Sequence, residues 1–280
     1  MPELLTCKSC GNTFTGKFCN ECGEKVYRDH DKSMRHFFEE SFHFLTHVDG
    51  KFLKSIRLLF TNPGFISSEI TSGIRKKYFK PLNMFLIGVV LYLLFPYFQG
   101  LNMPLKFHLR EPYKPYASML VENKIKNKKI SFNELAVRFD AKSPKFAKVL
   151  LLVIIPLSAL VLVLLYPGKK KYYFDHLTLA AELNTFYLYF SFFIIPFFIN
   201  VYLLIAGLFT MKGGFIIGDD ITMPVAGLAN GVFCTFAFTR FYKETKLKAL
   251  LKTVIYLVLY ILIVFVIYRI ILLSVVMFFI

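Results

Sequence analysis

The chain is poor in acidic residues, in cysteine outside one cluster, and in charge within its apolar runs. Each shortage excludes something. Against 34 Lys and Arg stand 18 Asp and Glu, a net charge of +16. Such an excess suits nucleic acid or anionic lipid headgroups. No Lys/Arg array with interleaved aromatics lies outside the segments that flank apolar runs, so no nucleic-acid partner is expected. Four of the five cysteines cluster near the N-terminus and the fifth, Cys234, stands in an apolar run, which argues against a disulfide framework. No phosphate-binding glycine loop, nucleophile elbow or H-E-x-x-H pattern occurs, so no enzymatic activity and no catalytic residue is expected. Met1 to Gly23 is polar, without an apolar stretch, so no cleavable signal peptide is expected and the first span would direct insertion.

What is abundant is apolar. Hydrophobic residues make up 56%, Phe alone numbers 33, and mean hydropathy is +0.53, too apolar for a soluble domain. Since about 20 mainly apolar residues cross a bilayer as a helix, five spans are expected: Leu82–Phe98, Val149–Tyr166, Leu183–Phe209, Ile221–Phe241 and Leu250–Tyr268. The tail 270–280 is too short to cross again and is read as interfacial or packed on the bundle. The fold class is therefore an all-α polytopic membrane protein of about five transmembrane helices with a small N-terminal zinc ribbon. Its expected parts are the ribbon (1–28), amphipathic juxtamembrane helices (29–80), and a transmembrane domain (81–280) carrying an inserted loop at 101–147.

The ribbon rests on Cys7-x-x-Cys10-Gly11 and Cys19-x-x-Cys22-Gly23. Each knuckle points two thiolates at one ion, and a glycine after it permits the left-handed backbone such a knuckle needs. Four thiolates close a tetrahedral shell around a structural zinc, one per chain, leaving no open position for catalysis. So short a segment needs the metal for folding energy. Paired disulfides or a redox dithiol are the alternative.

Ser33 reads as an N-cap, followed by Met34, Phe37, Phe38, Phe42, Leu45, Val48 and Phe52 at helical spacing, a face suited to the headgroup boundary. A further helical stretch stops at Asn62-Pro63-Gly64, and Arg75, Lys76, Lys77 and Lys80 precede the first span as lipid headgroup contacts. Asp49, the Asn62-Pro63-Gly64 turn and Gly73-x-Arg75-x-x-Tyr78-x-x-Pro81 resemble a widespread bacterial family of membrane proteins known only as a domain of unknown function, often with an N-terminal zinc ribbon. The resemblance covers about the first 90 residues and implies a shared juxtamembrane unit but no activity.

Three basic clusters, at 75–80, Lys169/Lys170/Lys171 and Arg240 to Lys252, fall on one side by alternation. The positive-inside rule then places the N-terminus in the cytoplasm of a cell inner (plasma) membrane, in agreement with reduced thiolates. Segment 101–148, also rich in Lys, conflicts with that rule. Pro156 and Pro196 interrupt two spans, either as plain kinks or lining a polar cavity. Gly227-x-x-x-Gly231 offers a small-residue face for packing within the chain or, alternatively, in a homo-oligomer. No charged residue lies in the middle of the first four spans, which argues against ion-coupled carriers.

On the juxtamembrane helix His36, Glu40, His43 and His47 fall within about 60° of one another at ~100° per residue. They form a solvated surface stripe, a pH-responsive contact, or a site for a second divalent metal or a functional cavity. Two function classes remain. One is a scaffold or regulator whose ribbon and basic surface recruit a cytoplasmic protein partner or anionic membrane lipid. The other is a small transporter or pore for a neutral or lipid-like substrate.

Overall fold

The computed structural model describes residues 4–26, 50–94, 103–208 and 219–280. His36, Glu40, His43, His47 and Asp49 lie outside the described residues. Near the N-terminus, strands β1 (Leu5–Thr6) and β2 (Thr13–Phe14) pair antiparallel, Leu5 opposite Phe14. In chain order the helices are α1 (Gly50–Thr61), α2 (Phe65–Ser72), α3 (Pro81–Leu94), α4 (Leu105–His108), α5 (Lys114–Lys128) and α6 (Phe132–Leu165). Then come α7 (Tyr173–Tyr189), α8 (Ile195–Leu208), α9 (Asp219–Tyr242), α10 (Lys246–Leu262) and α11 (Tyr268–Phe279). One π turn, Phe190–Ile194, joins α7 to α8, and another, Ile263–Ile267, joins α10 to α11.

In lipid a backbone polar group finds no partner but the chain itself, so long apolar runs fold as helices. Among the described residues four are long and apolar enough to cross a membrane: Phe132–Leu165, Tyr173–Ile205, Thr222–Tyr242 and Lys246–Phe279. The expected first span appears as α3, of which Pro81–Tyr92 is apolar but short. The chain is thus a mostly helical, multi-pass membrane protein with a cysteine-bearing hairpin.

Several expected boundaries move, for a common reason. The span expected from Val149 begins at Phe132, where the Ser131 side chain caps α6 by accepting from the Glu134 amide at 3.2 Å. Segment 101–147, expected as an inserted loop, is accordingly helical in α4, α5 and the first half of α6. At 34 residues, α6 is about 51 Å long, well beyond the ~30 Å hydrocarbon layer. The span expected from Leu183 begins at Tyr173, with the Asp175 carboxylate accepting from the Tyr172 amide at 3.0 Å. The tail 270–280 continues the last helix and packs on α6 through buried Leu272, Leu273, Val276 and Met277. In each case charged residues end the apolar run before the helix ends.

Every residue from Phe174 to Phe186 is buried, because α7 is enclosed by α1, α2, α3, α6 and α9. A helix wrapped on all sides needs no polar face, yet α7 carries Asp175, His176, Glu182 and Asn184 inside. Asn184 ties three helices together: its Nδ2 donates to Ser158 Oγ at 2.9 Å and its Oδ1 accepts from the Tyr260 hydroxyl at 2.8 Å. Pro196 has no amide proton and crowds the carbonyl four residues back, so the preceding turn widens and the Ile195 amide donates to Phe190 O.

The three basic clusters meet at one end of the bundle. Lys169 Nζ lies 3.2 Å and Lys252 Nζ 3.5 Å from Glu244 Oε1, and Arg240 Nη1 donates to Pro63 O at 2.7 Å. At the opposite end α4 and α5 pack on α6 and α11. There Leu105 N–H donates to Asp140 Oδ1 at 2.9 Å, the Tyr113 hydroxyl bonds Phe265 O, and Lys142 Nζ donates to Phe279 O at 2.7 Å.

Candidate metal centre and its docking junction

The β1–β2 hairpin is too small for a core of its own: Cys7, Phe14 and Cys19 are buried with Leu5, Cys22 and Val26 around them. After each knuckle the chain turns back, with Gly11 N–H bonding Cys7 O and Gly23 N–H bonding Cys19 O, both at 2.8 Å. Both glycines are left-handed, φ 80° and 65°, as the knuckle spacing requires. The four sulfurs lie within 4.8 Å of one another, with Cys7–Cys22 at 3.5 Å and Cys10–Cys19 at 3.6 Å. Ligands ~2.3 Å from a tetrahedral ion stand ~3.8 Å apart, whereas bonded sulfurs stand ~2.0 Å apart. The donor set therefore fits one metal ion.

This hairpin sits on the C-terminal end of α2. The last carbonyls of a helix have no partner within it and favour a cation. Lys8 Nζ meets that demand, donating to Ser72 O at 3.0 Å. Buried Glu24 completes the seat by accepting from the Lys76 amide at 3.0 Å. Gly73 closes α2 in left-handed geometry, its amide bonding Glu69 O and Ile70 O.

The opposite end of α2 is held from inside the bundle. The Glu182 carboxylate accepts from Gly64 N–H and Ser67 N–H, each at 2.8 Å, and from the Ser67 hydroxyl. A carboxylate brought from another helix thus caps this N-terminus and answers its partial positive charge. Gly64 is constrained twice: its φ is 73°, and a Cβ there would lie 2.8 Å from Ala237 Cα and O on α9. The Asn62-Pro63-Gly64 turn is where α1, α2, α7 and α9 converge.

The rest of the recognised pattern is structural as well. Arg75, expected among the headgroup contacts, turns inward instead: it is buried, its Nε donates to Ile70 O at 3.3 Å, and its guanidinium lies 5.0 Å from the Phe174 ring centroid. The loop folds it over the end of α7, where carbonyl and ring replace water. Lys76 and Lys77 are exposed and Lys80 is half-buried. Tyr78 is buried edge-on against Phe65. Pro81 opens α3, and its carbonyl accepts from the Thr185 hydroxyl at 3.0 Å. A cation–aromatic layer lies nearby: Tyr166 stacks on Tyr242 at 3.5 Å, with Lys252 Nζ 3.9 Å from the Tyr166 centroid and Lys171 Nζ 4.4 Å from that of Phe241.

Cys7, Cys10, Cys19 and Cys22 are brought together as expected. Sequence reasoning missed Glu182, because an expected span starting at Leu183 left it just outside. A lone carboxylate between Ala180-Ala181 and Leu183 was the available signal. No curated protein and no solved structure matches the chain. Residues 49–93, which contribute α1, α2 and most of α3 to this junction, match the family model described as Protein of unknown function (DUF3667).

Proposed function

We propose that the chain is a membrane-embedded scaffold or regulatory protein whose cytoplasmic zinc ribbon and basic juxtamembrane surface recruit a protein partner or anionic lipid. The observation that carries this reading is the seating of the hairpin on α2 through Lys8–Ser72 and Glu24–Lys76. It sets the four-cysteine cluster beside exposed Lys76 and Lys77, on the bundle end that also carries Lys169, Arg240 and Lys252. Zinc suits four thiolates with no open position, so its part is to hold the hairpin in shape. The exposed Lys at that end suit anionic lipid headgroups, each cation near the surface adding about 1 kcal/mol of attraction.

The test is lipid selectivity of the zinc-loaded chain in nanodiscs of mixed phosphatidylcholine and phosphatidylglycerol. Wild type is expected to retain phosphatidylglycerol in excess over the bulk ratio through purification. Lys76→Ala/Lys77→Ala should lose at least half of that excess with zinc content unchanged. Equal retention by both would remove the lipid arm. A photo-crosslinker at Lys77 that captures no cytosolic protein would remove the partner arm.

A further inference from the structure

The hairpin meets α2 through residues set beside its own cysteines. Lys8 follows Cys7. Its stem lies against Gly73, where a Cβ would come within 3.1 Å of Lys8 Cδ, and its Nζ donates to Ser72 O at 3.0 Å. Gly23 follows Cys22, and Lys76 Nζ lies so close over it that a Cβ there would be 2.7 Å away. Glu24 comes next. Its Oε2 accepts from the Lys76 amide at 3.0 Å, while its carbonyl accepts from Cys19 N–H at 2.8 Å. Lys8, Gly23 and Glu24 all stand within two positions of a cysteine.

The hairpin cannot hold this seat without its metal. Each of its strands is two residues long, and two of its three buried apolar side chains, Cys7 and Cys19, are themselves ligands. A sheet that short has no stability of its own. The ion that joins the ligands therefore also fixes where Lys8 and Glu24 stand. The contact with α2 is loose: a space of about 240 Å³ remains among Leu5, Lys8, Phe14, Glu24 and Gly73. Glu24 is 4% exposed, yet its Oε1 has no hydrogen-bond partner among the described residues. Undocking would return that oxygen to water, so docking carries a cost that only a correctly shaped hairpin offsets. On the other side α2 is held independently of the ribbon, since Glu182 binds Gly64 and Ser67 at its opposite end.

We propose that α2 and the loop after it are part of the metal site: the loaded hairpin docks, the metal-free hairpin leaves, and docking in turn tightens the metal. The inference rests on the reading of the hairpin as a metal-bound ribbon and adds a means of regulating it. Two events that favour the same arrangement reinforce each other equally in both directions. Lys8 and Glu24 are the positioning residues that carry the coupling. Loss of metal would free Lys76 from Gly23 and leave the Ser72 carbonyl to water. Metal supply is thereby read out at the exposed lysines of the surface proposed for lipid or a partner.

Affinity and docking are measured separately on the full chain in nanodiscs, under reducing conditions. Zinc is titrated against a chromophoric chelator. Lys76→Pro removes the amide that Glu24 accepts from and leaves the ribbon untouched; Lys76→Ala loses the same charge but keeps the amide. Lys76→Pro should bind zinc ~5-fold more weakly than Lys76→Ala, as loss of one net hydrogen bond implies. Lys8→Ala should weaken zinc by about as much relative to wild type, and it carries the test if proline disturbs the loop. Hydrogen exchange reads the docking. The Lys76 amide is expected to be protected with zinc and to exchange freely without it, while the Gly64 and Ser67 amides stay protected in both states. Zinc affinity unchanged in both Lys76→Pro and Lys8→Ala would overturn the proposal, and so would a Lys76 amide equally protected with and without metal. A chain that takes up no zinc at all would instead sink the ribbon reading, and this inference with it.

Discussion

The two ends of the bundle use polar side chains in opposite ways. At the ribbon end they join elements distant in sequence: Glu182 reaches Gly64 and Ser67, Arg240 reaches Pro63, and Glu24 reaches Lys76. At the far end His108 is fully buried between Tyr113 and Phe139, its ring set against the Met103 backbone in place of water. One end uses buried polar groups to join distant segments; the other confines a titratable group that water would stabilise.

Breaking the ribbon should have the largest effect. Structural zinc in so small a unit contributes on the order of 10 kcal/mol to its folding. Purified protein is expected to hold about one zinc per chain, and Cys19→Ser should lose it. Hydrogen exchange would then rise across 4–26 while α6 to α11 stay protected. A metal-free chain whose hairpin stays protected from exchange would contradict this.

Next in size is the junction. Glu182→Ala removes the acceptor of three hydrogen bonds and strands two buried amides, a loss of roughly 3–5 kcal/mol. Glu182→Gln keeps an acceptor and should recover part of it. Thermal denaturation in detergent would show both, and a Glu182→Ala melting temperature equal to wild type would mean that the cap is dispensable. Gly64→Ala should be comparably harmful, since the added methyl meets the Ala237 backbone in a left-handed conformation.

The smallest effect belongs to the far end. Burial first, and the Arg269 charge second, lower the His108 pKa from 6.5 to about 4. The native state therefore holds this ring neutral while the unfolded chain protonates it near 6.5. Stability is full above pH 6.5 and falls as pH drops toward 4, by about 2 kcal/mol between pH 7 and pH 5. His108→Phe should flatten that slope. A slope that survives the substitution would assign it to another group.

Much of this was legible in sequence. Two cysteine knuckles announced one four-cysteine cluster able to hold a metal, because ligand spacing is a local property. Apolar runs announced helices, because lipid leaves the backbone no other partner. The proline before Gly64 marked the turn. What was not legible were contacts whose partners lie more than a hundred residues apart. Hydropathy therefore stopped spans at Leu183 and Val149, where charge begins, although both helices run on. The same blindness made Arg75 read as a headgroup contact when its loop folds it over Phe174.

Taken alone, then, the sequence determined the class of molecule and the four-cysteine hairpin with its possible metal site, since these follow from nearest-neighbour chemistry and from the bilayer as solvent. Tertiary structure alone decided that a carboxylate inside a buried helix caps another helix and that a buried cation needs no lipid. Each of those depends on which surfaces meet in space, and a helix face carries no mark of its partner until the bundle assembles.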